Sequence, residues 1–459
     1  MHSRPLSKIA ADLRNGDTRP SDLIREASER YEATEGKLHA YRTWAGDRAT
    51  EQAAALDKLV ATGIDLGPLM GIPISVKDLF GVPGLPTYAG TNATFPREWE
   101  AAGPVVGAVL SQLGIVTGKT HTVEFAFGGL GTNPHWGTPI NPWSSPDEPK
   151  APGGSSAGAG VSLAQGSALL ALGTDTAGSV RIPASFTGQT ALKTTHGRWS
   201  LEGIVPLSPS LDTPGILART AADLAYAFAA IDPEFGSEIL PAELAGLRIG
   251  IIRNTVWEGI DPSIAENTLR VLRQIEQAGT RTNDVTLARV DEALAIFRAG
   301  GLAAAELRAF LDRNFPERIA ALDPTVMARV EAADQITASD YLQRAANLAQ
   351  YGREAVRVFD TVDLLVSPTI PIAAPALADL ADAETYRQAN MLALRNTALV
   401  NLFGWCAVTL PTGLDAHGIP SGLQIIAPPM QERRLLAAAL ALETVIGSGP
   451  ELLGKAPLA

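Results

Sequence analysis

Residues 153–181 read Gly153-Gly-Ser-Ser-Ala-Gly-Ala-Gly-Val-Ser-Leu-Ala-Gln-Gly-Ser-Ala-Leu-Leu-Ala-Leu-Gly-Thr-Asp-Thr-Ala-Gly-Ser-Val-Arg181. The spacing predicts a helix over Ala157–Gln165 and a buried strand over Ala168–Leu172. The same alternation recurs along the chain. Short apolar runs at Ile72–Val76, Gly114–Thr117, Leu247–Ile252, Asp363–Val366, Cys406–Leu410 and Leu423–Ile426 predict further strands. Helical patterns at Val105–Leu113, Thr220–Ala230, Pro262–Gln277, Tyr341–Asp360 and Arg433–Ile446 lie between them. Apolar strands alternating with helices predict an α/β fold whose sheet is covered on both faces. No flexible linker or internal repeat divides the chain, so residues 1–459 are expected to form one domain.

Composition narrows the function classes. Hydrophobic residues make up 46% and charged residues 19%, which excludes a disordered or coiled-coil chain. With 37 basic against 49 acidic side chains the net charge is −12, and no basic run offsets it, so no nucleic-acid partner is expected. Cys406 is the single cysteine, which rules out an internal disulfide and a cysteine-rich zinc site and fits a reducing compartment. The N-terminus lacks the apolar core of a signal peptide, and Ala101–Thr117 is too interrupted by Gly and Pro to cross a membrane. A cytoplasmic enzyme that binds no membrane is the expectation; the sequence leaves a homodimer open. Residues 5–62 and 284–360 read as mostly helical, whereas 128–160 is rich in Gly, Pro and Ser, the texture of a functional loop.

Three patches carry chemistry. In Gly153-Gly154-Ser155-Ser156, glycines permit close approach, and the following helix would aim its N–H groups at the serines; a solvated loop is the plain alternative. In Gly173–Arg181, Ser179 after a buried strand and among small residues suits a nucleophile whose neighbouring amides form an oxyanion hole; an ordinary capped turn is the alternative. In Gly71–Leu79, alternation puts Ser75 and Lys77 on the face opposite Ile74 and Val76. Lys77 is then either a strand-end lysine reaching solvent or a buried amine with a lowered pKa that can serve as a base.

Together these patches resemble the amidase signature family. The order matches, from the Gly-Ile-Pro-x-x-Val-Lys-Asp segment through the Gly-Gly-Ser-Ser loop to Gly178-Ser179-Val180-Arg181, and so does the spacing of Ser155 and Ser179. Gly118-Lys119-Thr120, Glu124-Phe125-Ala126, Asn141-Pro142 and Ser210-Leu211-Asp212-Thr213-Pro214-Gly215 also match. Looser matches follow at Ser367-Pro368-Thr369, Asn401, Pro411 and Gly418–Gln424. The resemblance is strong over 66–220, the expected catalytic core, and fades over 280–360, where substrate specificity is expected to be set.

The resemblance implies a single domain with a central mixed sheet, no cofactor or metal, and a Ser–Ser–Lys triad cleaving C–N bonds of a small amide, with aryl amides (anilides), esters and carbamates within range. Ser179 corresponds to the nucleophile that carries the acyl-enzyme, Ser155 to the bridging serine after a cis peptide at Gly154, and Lys77 to the base. Backbone amides of Thr176, Ala177, Gly178 and Ser179 correspond to the oxyanion hole, with Ser156, Asp175 and Arg181 as supporting groups. Phe127, Gly128 and Gly129 match a position that lines the family's substrate channel; plain core is the alternative for Phe127. Trp136, Trp143 and Trp199 are candidates for its entrance, though packing explains each singly. Where the family has a double glycine before the nucleophile, this chain has Ala177-Gly178, and alanine is disfavoured at positive φ.

Competing readings have their own residues. Within the family, the glutamine-hydrolysing subunit of a tRNA-dependent amidotransferase is the alternative, although the Tyr-Gly-x-Arg-type segment expected of it is not visible. Gly154-Ser155-Ser156-Ala157-Gly158 fits the nucleophile elbow of an α/β-hydrolase, with Ser156 as nucleophile and His196 or His417 as base, but the Pro-rich 144–152 is a poor preceding strand. Leu113–Thr120 approaches a phosphate-binding loop with Leu113 where the first glycine belongs.

Overall fold

A computed structural model of the protein describes residues 4–232, 234 and 237–459. Eleven strands among these residues form one sheet: β1 (Tyr41–Trp44), β2 (Pro73–Lys77), β3 (Ile115–Thr120), β4 (Leu170–Asp175), β5 (Thr190–Lys193), β6 (Thr213–Ala218), β7 (Arg248–Ile252), β8 (Arg281–Val285), β9 (Leu364–Pro368), β10 (Cys406–Leu414) and β11 (Pro420–Ala427). Their order is β1-β3-β2-β4-β6-β5-β10-β11-β9-β7-β8. β2 is parallel to β3 and β4, and β7 is parallel to β8 and β9. The pairs β1–β3, β4–β6, β5–β6, β5–β10, β10–β11 and β9–β11 are antiparallel, so the sheet is mixed.

All seven strands expected from apolar runs are present. β1, β5, β6 and β8 were not expected, and each has a local reason. β8 is a polar, partly exposed edge strand, and β1 is a short edge strand with exposed Arg42. β6 contains Pro214, and β5 ends in Lys193, a buried amine that donates to the carbonyls of Trp405 (2.7 Å) and Thr194 (2.8 Å). Polar residues buried through such partners are invisible to hydropathy.

The two faces of β2 diverge as the alternation predicts. Ile74 and Val76 join the main core with Leu172, Ile216, Leu224, Phe228 and Leu436. On the other face, Ser75 Oγ lies 2.9 Å from Ser162 Oγ of the helix Ala157–Gln165. Ala159 and Leu163 of that helix pack over Ala171, Ala191 and Leu217. Small residues at this interface bring the helix close to the sheet, which sets Ser155 just ahead of its first turn beside the end of β2.

The helix Ala383–Leu402 was not expected either. Asn390, Arg395, Asn396, Thr397 and Asn401 are buried on it, which breaks the amphipathic pattern. Ala101–Thr117 divides into the helix Pro104–Ser111 and β3. One helical stretch, Glu432–Leu453, is long and apolar enough to cross a membrane. It is interrupted at Gly447, and Leu435, Leu436, Ala439 and Leu442 are buried in the protein, as in a sheet-covering helix.

Candidate active site

Lys77 ends β2 and is fully buried. Its Nζ donates to Ser155 Oγ at 2.7 Å and to Thr174 Oγ1 at 2.8 Å. Burial pushes the amine down from 10.5 to about 7, although the carboxylates of Asp212 and Asp175 pull the other way. The buried alternative for Lys77 is therefore the one observed, and a sizeable neutral fraction exists at neutral pH. Next to it, Asp78 accepts from the amides of Tyr88 (3.0 Å) and Ala89 (3.1 Å) and pairs with Lys119 Nζ at 2.9 Å. Lys119 lies inside β3 in that buried pair, so the phosphate-loop reading of 113–120 fails: the segment is strand, not a loop that could cradle an anion.

The Gly-Gly-Ser-Ser loop is fixed by backbone contacts. The Gly154–Ser155 peptide is cis. The Gly154 amide donates to Gly129 O at 2.8 Å, and the Val123 amide donates to Ser155 O at 3.2 Å. A Cβ on Gly154 would stand 2.6 Å from the Gly131 nitrogen, so only glycine fits. Ser156 joins the loop to its neighbour: its amide donates to Ser179 O (3.1 Å) and its hydroxyl to Thr174 O (3.2 Å). No strand precedes it over 144–154, and His196 and His417 are both exposed, His196 bonding to Pro209 O at 3.0 Å. The nucleophile-elbow context is absent.

Asp175 closes β4 and organises the turn that follows. Its carboxylate accepts from the amides of Gly178 (2.7 Å) and Val180 (3.1 Å), from Arg181 Nε (3.1 Å) and Nη2 (2.9 Å), and from Asn401 Nδ2 (2.9 Å). Burial alone would raise its pKa, but the Arg181 guanidinium, with Lys193 and Asn401, holds it at about 2. Arg181 also donates to Thr397 O (2.9 Å), Asn401 Oδ1 (2.6 Å) and Gln424 Oε1. Thr176 Oγ1 donates to Asp212 Oδ1 at 2.6 Å. Ser179 is 3% exposed, and its hydroxyl makes no hydrogen bond among the described residues.

The turn corrects two expectations. The Gly178 amide is committed to Asp175, so it does not point freely into an oxyanion hole; those of Thr176, Ala177 and Ser179 have no such partner among the described residues. Ala177 does not have positive φ, whereas Gly178 does, at +137°, so alanine at 177 is unstrained. A Cβ on Gly178 would also lie 2.1 Å from Thr397 Oγ1. Gly178→Ala is therefore expected to destabilise the protein by about 1–3 kcal/mol and to cut kcat far more than it raises KM, as read by urea unfolding and steady-state kinetics.

The segment 127–129 lies beside this turn. The Gly129 amide donates to Asn390 Oδ1 at 2.7 Å. The Ile182 δ-methyl is 3.5 Å from where a Cβ on Gly129 would stand and 2.8 Å from the same point on Gly178, so both loops lean on one methyl. Phe127 is half-buried; Arg329 donates to its carbonyl and sits 4.9 Å over its ring. Of the tryptophans, Trp143 and Trp199 are core residues bonded to Thr187 O (3.0 Å) and Asp232 (2.9 Å). Trp136 packs edge-on to His121. Sequence reasoning missed Arg329, Tyr386, Asn390 and Thr397. The spacing 386, 390, 394, 397, 401 is one stripe of a helix and was the available signal.

The family model for amidases matches residues 22–436. The chain is 56% identical over 457 residues to the 2-amino-5-chloromuconic acid deaminase of Comamonas testosteroni, covering 99% of this chain and 98% of that protein. It is 32% identical over 460 residues to a glutamyl-tRNA(Gln) amidotransferase subunit from a Cyanothece species, covering 92% and 94%. The crystal structure of an amidase superposes with a TM-score of 0.87 at 29% identity, covering 97% of this chain and 100% of that one. A peptide amidase bound to chymostatin shares the fold, with a TM-score of 0.84 at 24% identity over 99% of both chains.

Proposed function

Because the chain belongs to the amidase family and is an amide C–N hydrolase, we propose that Ser179, Ser155 and Lys77 are its catalytic triad and that its substrates are small, carboxylate-bearing molecules that release ammonia. The observation that carries the triad is the buried 2.7 Å contact from Lys77 to Ser155, with the amine lowered to about 7. Neutral Lys77 takes a proton from Ser155, which takes one from Ser179 as its Oγ adds to the carbon that bears the nitrogen. That carbon is the carbonyl carbon of an amide or the C=N carbon of the imine tautomer of an amino diacid, whose π pair moves onto oxygen or nitrogen. Amides of Thr176, Ala177 and Ser179 offset the charge that develops there. The proton returns along the relay to the departing nitrogen, ammonia leaves, and water attacks the serine-bound intermediate by the same path.

The substrate class rests on the relative at 56% identity, whose substrate is by its name an unsaturated diacid carrying an amino group. That identity also favours a small-molecule substrate over a role within an amidotransferase complex. A cytoplasmic location fits the single, buried Cys406. Monomer or homodimer is a matter of its mass in solution.

A serine-reactive sulfonyl fluoride, mapped by peptide mass spectrometry, tests the triad. Adduct at Ser179 that disappears in Lys77→Ala is expected; adduct at Ser156 independent of Lys77 would overturn it. Ammonia release from a panel of amino diacids, simple amides and glutamine tests the class, and turnover of glutamine alone would move the protein to the amidotransferase reading.

A further inference from the structure

Two polar groups beside the 127–129 loop have hydrogen-bonding capacity that the protein leaves unused. Tyr386 is 3% exposed, yet its hydroxyl has no hydrogen-bond partner among the described residues. It lies where a Cβ on Gly128 would approach to 2.7 Å, so the glycine leaves it room. A buried hydroxyl without a partner is destabilising, and a ligand atom that pairs with it would recover that cost.

Arg329 sits on the helix Pro324–Ala332, within the region where specificity was expected. Its guanidinium is 4.9 Å from the Phe127 ring and 5.9 Å from that of Tyr386. One Nη donates to Phe127 O, and no carboxylate is within ion-pair distance among the described residues. The carboxylates on neighbouring segments are engaged elsewhere. Glu124 Oε1 meets His135 Nε2 at 2.9 Å, Glu124 Oε2 accepts the Asp323 amide at 2.7 Å, and Asp323 Oδ1 caps its helix through Thr325. A half-buried arginine with spare donors beside an unpartnered hydroxyl supplies the kind of donors an anion needs.

The loop that carries the Arg329 acceptor runs beside the turn of the nucleophile. Gly129 and Gly178 face the same Ile182 δ-methyl, and Phe127, whose carbonyl accepts from Arg329, lies two residues before Gly129. We infer that Arg329 and Tyr386 bind the carboxylate of the substrate remote from the scissile C–N bond, and so select diacids over neutral amides. This rests on the substrate class proposed above and assigns residues to it.

Muconate, an unsaturated six-carbon diacid with no C–N bond to cleave, is the probe. Its binding is measured by calorimetry to the full-length Ser179→Ala protein, alone and combined with Arg329→Gln, Arg329→Lys or Tyr386→Phe, beside the neutral dimethyl ester. Arg329→Gln is expected to weaken muconate on the order of 10- to 100-fold and Tyr386→Phe about 3- to 10-fold. Arg329→Lys should recover part of the loss, and the ester should be indifferent to all three. Unchanged muconate binding in Arg329→Gln overturns the assignment. Equal weakening of the ester does so too, because it marks a purely structural arginine, and so does failure of the Ser179→Ala protein to bind muconate at millimolar concentration. Failure of the triad is read separately, as hydrolysis that survives Ser179→Ala.

Discussion

Lys77→Met is expected to abolish turnover while leaving a protein more stable than the parent. Loss of the base should cost at least ~10⁴-fold in kcat, because no other amine among the described residues reaches Ser155. The gain in stability follows from the pKa. An amine lowered by burial from 10.5 to about 7 binds its proton in the unfolded chain but largely not in the native one, so between these values stability rises with pH. At pH 7, where the native amine is half-protonated, the penalty is about 4 kcal/mol. Removing it forfeits the hydrogen bonds to Ser155 and Thr174, about 1 kcal/mol each. A net gain on the order of 2 kcal/mol should appear as a higher urea midpoint at pH 7 and shrink towards pH 10. In the parent, kcat/KM should rise with pH through about 7 as the amine becomes neutral. A flat profile from about pH 5 to 9, or a variant less stable than the parent at pH 7, would contradict a buried, neutral lysine base.

Arg181→Met is expected to be the most damaging single change to the fold. It leaves the Asp175 carboxylate buried without its cation and strands Asn401 and Gln424, at a cost of about 3–5 kcal/mol. Activity should fall with it, because Asp175 holds the Gly178 and Val180 amides on either side of Ser179. A carboxylate held at about 2 contributes stability that is present above its ordinary 3.8 and is lost as pH falls between these values. In Arg181→Met burial raises that carboxyl instead, so the stability gap between parent and variant should narrow as pH falls from about 7 towards 3, as followed by urea unfolding. Replacing both members of the pair with apolar residues should recover part of the stability but none of the activity, since the amides would lose their acceptor.

The segments that build the site differ in how openly they state their role. β2, β4 and the helix Ala157–Gln165 are apolar, short and bounded by glycines, so their type and order could be read directly, and with them the positions of Lys77, Ser155 and Ser179. The resemblance to a family then supplied roles that periodicity alone left open. The helix Ala383–Leu402 hid because its site-facing residues, Asn390, Thr397 and Asn401, are polar groups whose partners come from elsewhere in the chain. Lys193 in β5 escaped for the same reason. The turn around Ser179 could be located, but not which of its amides are free: the capture of the Gly178 N–H depends on how the Asp175 carboxylate is turned.

By itself, the sequence determined that this is an α/β chain with a covered sheet and that two serines and a lysine fall at strand and helix ends. Those are consequences of local periodicity and of where glycine is tolerated. Only the tertiary structure decided that Lys77 is buried and lowered to about 7, that Asp175 is held at about 2 rather than raised, and that Arg329 meets Tyr386 beside Phe127. The reason is physical. Proton affinity and anion affinity are set by desolvation and by charges brought together from distant parts of the chain, and neither is encoded in the spacing of one segment.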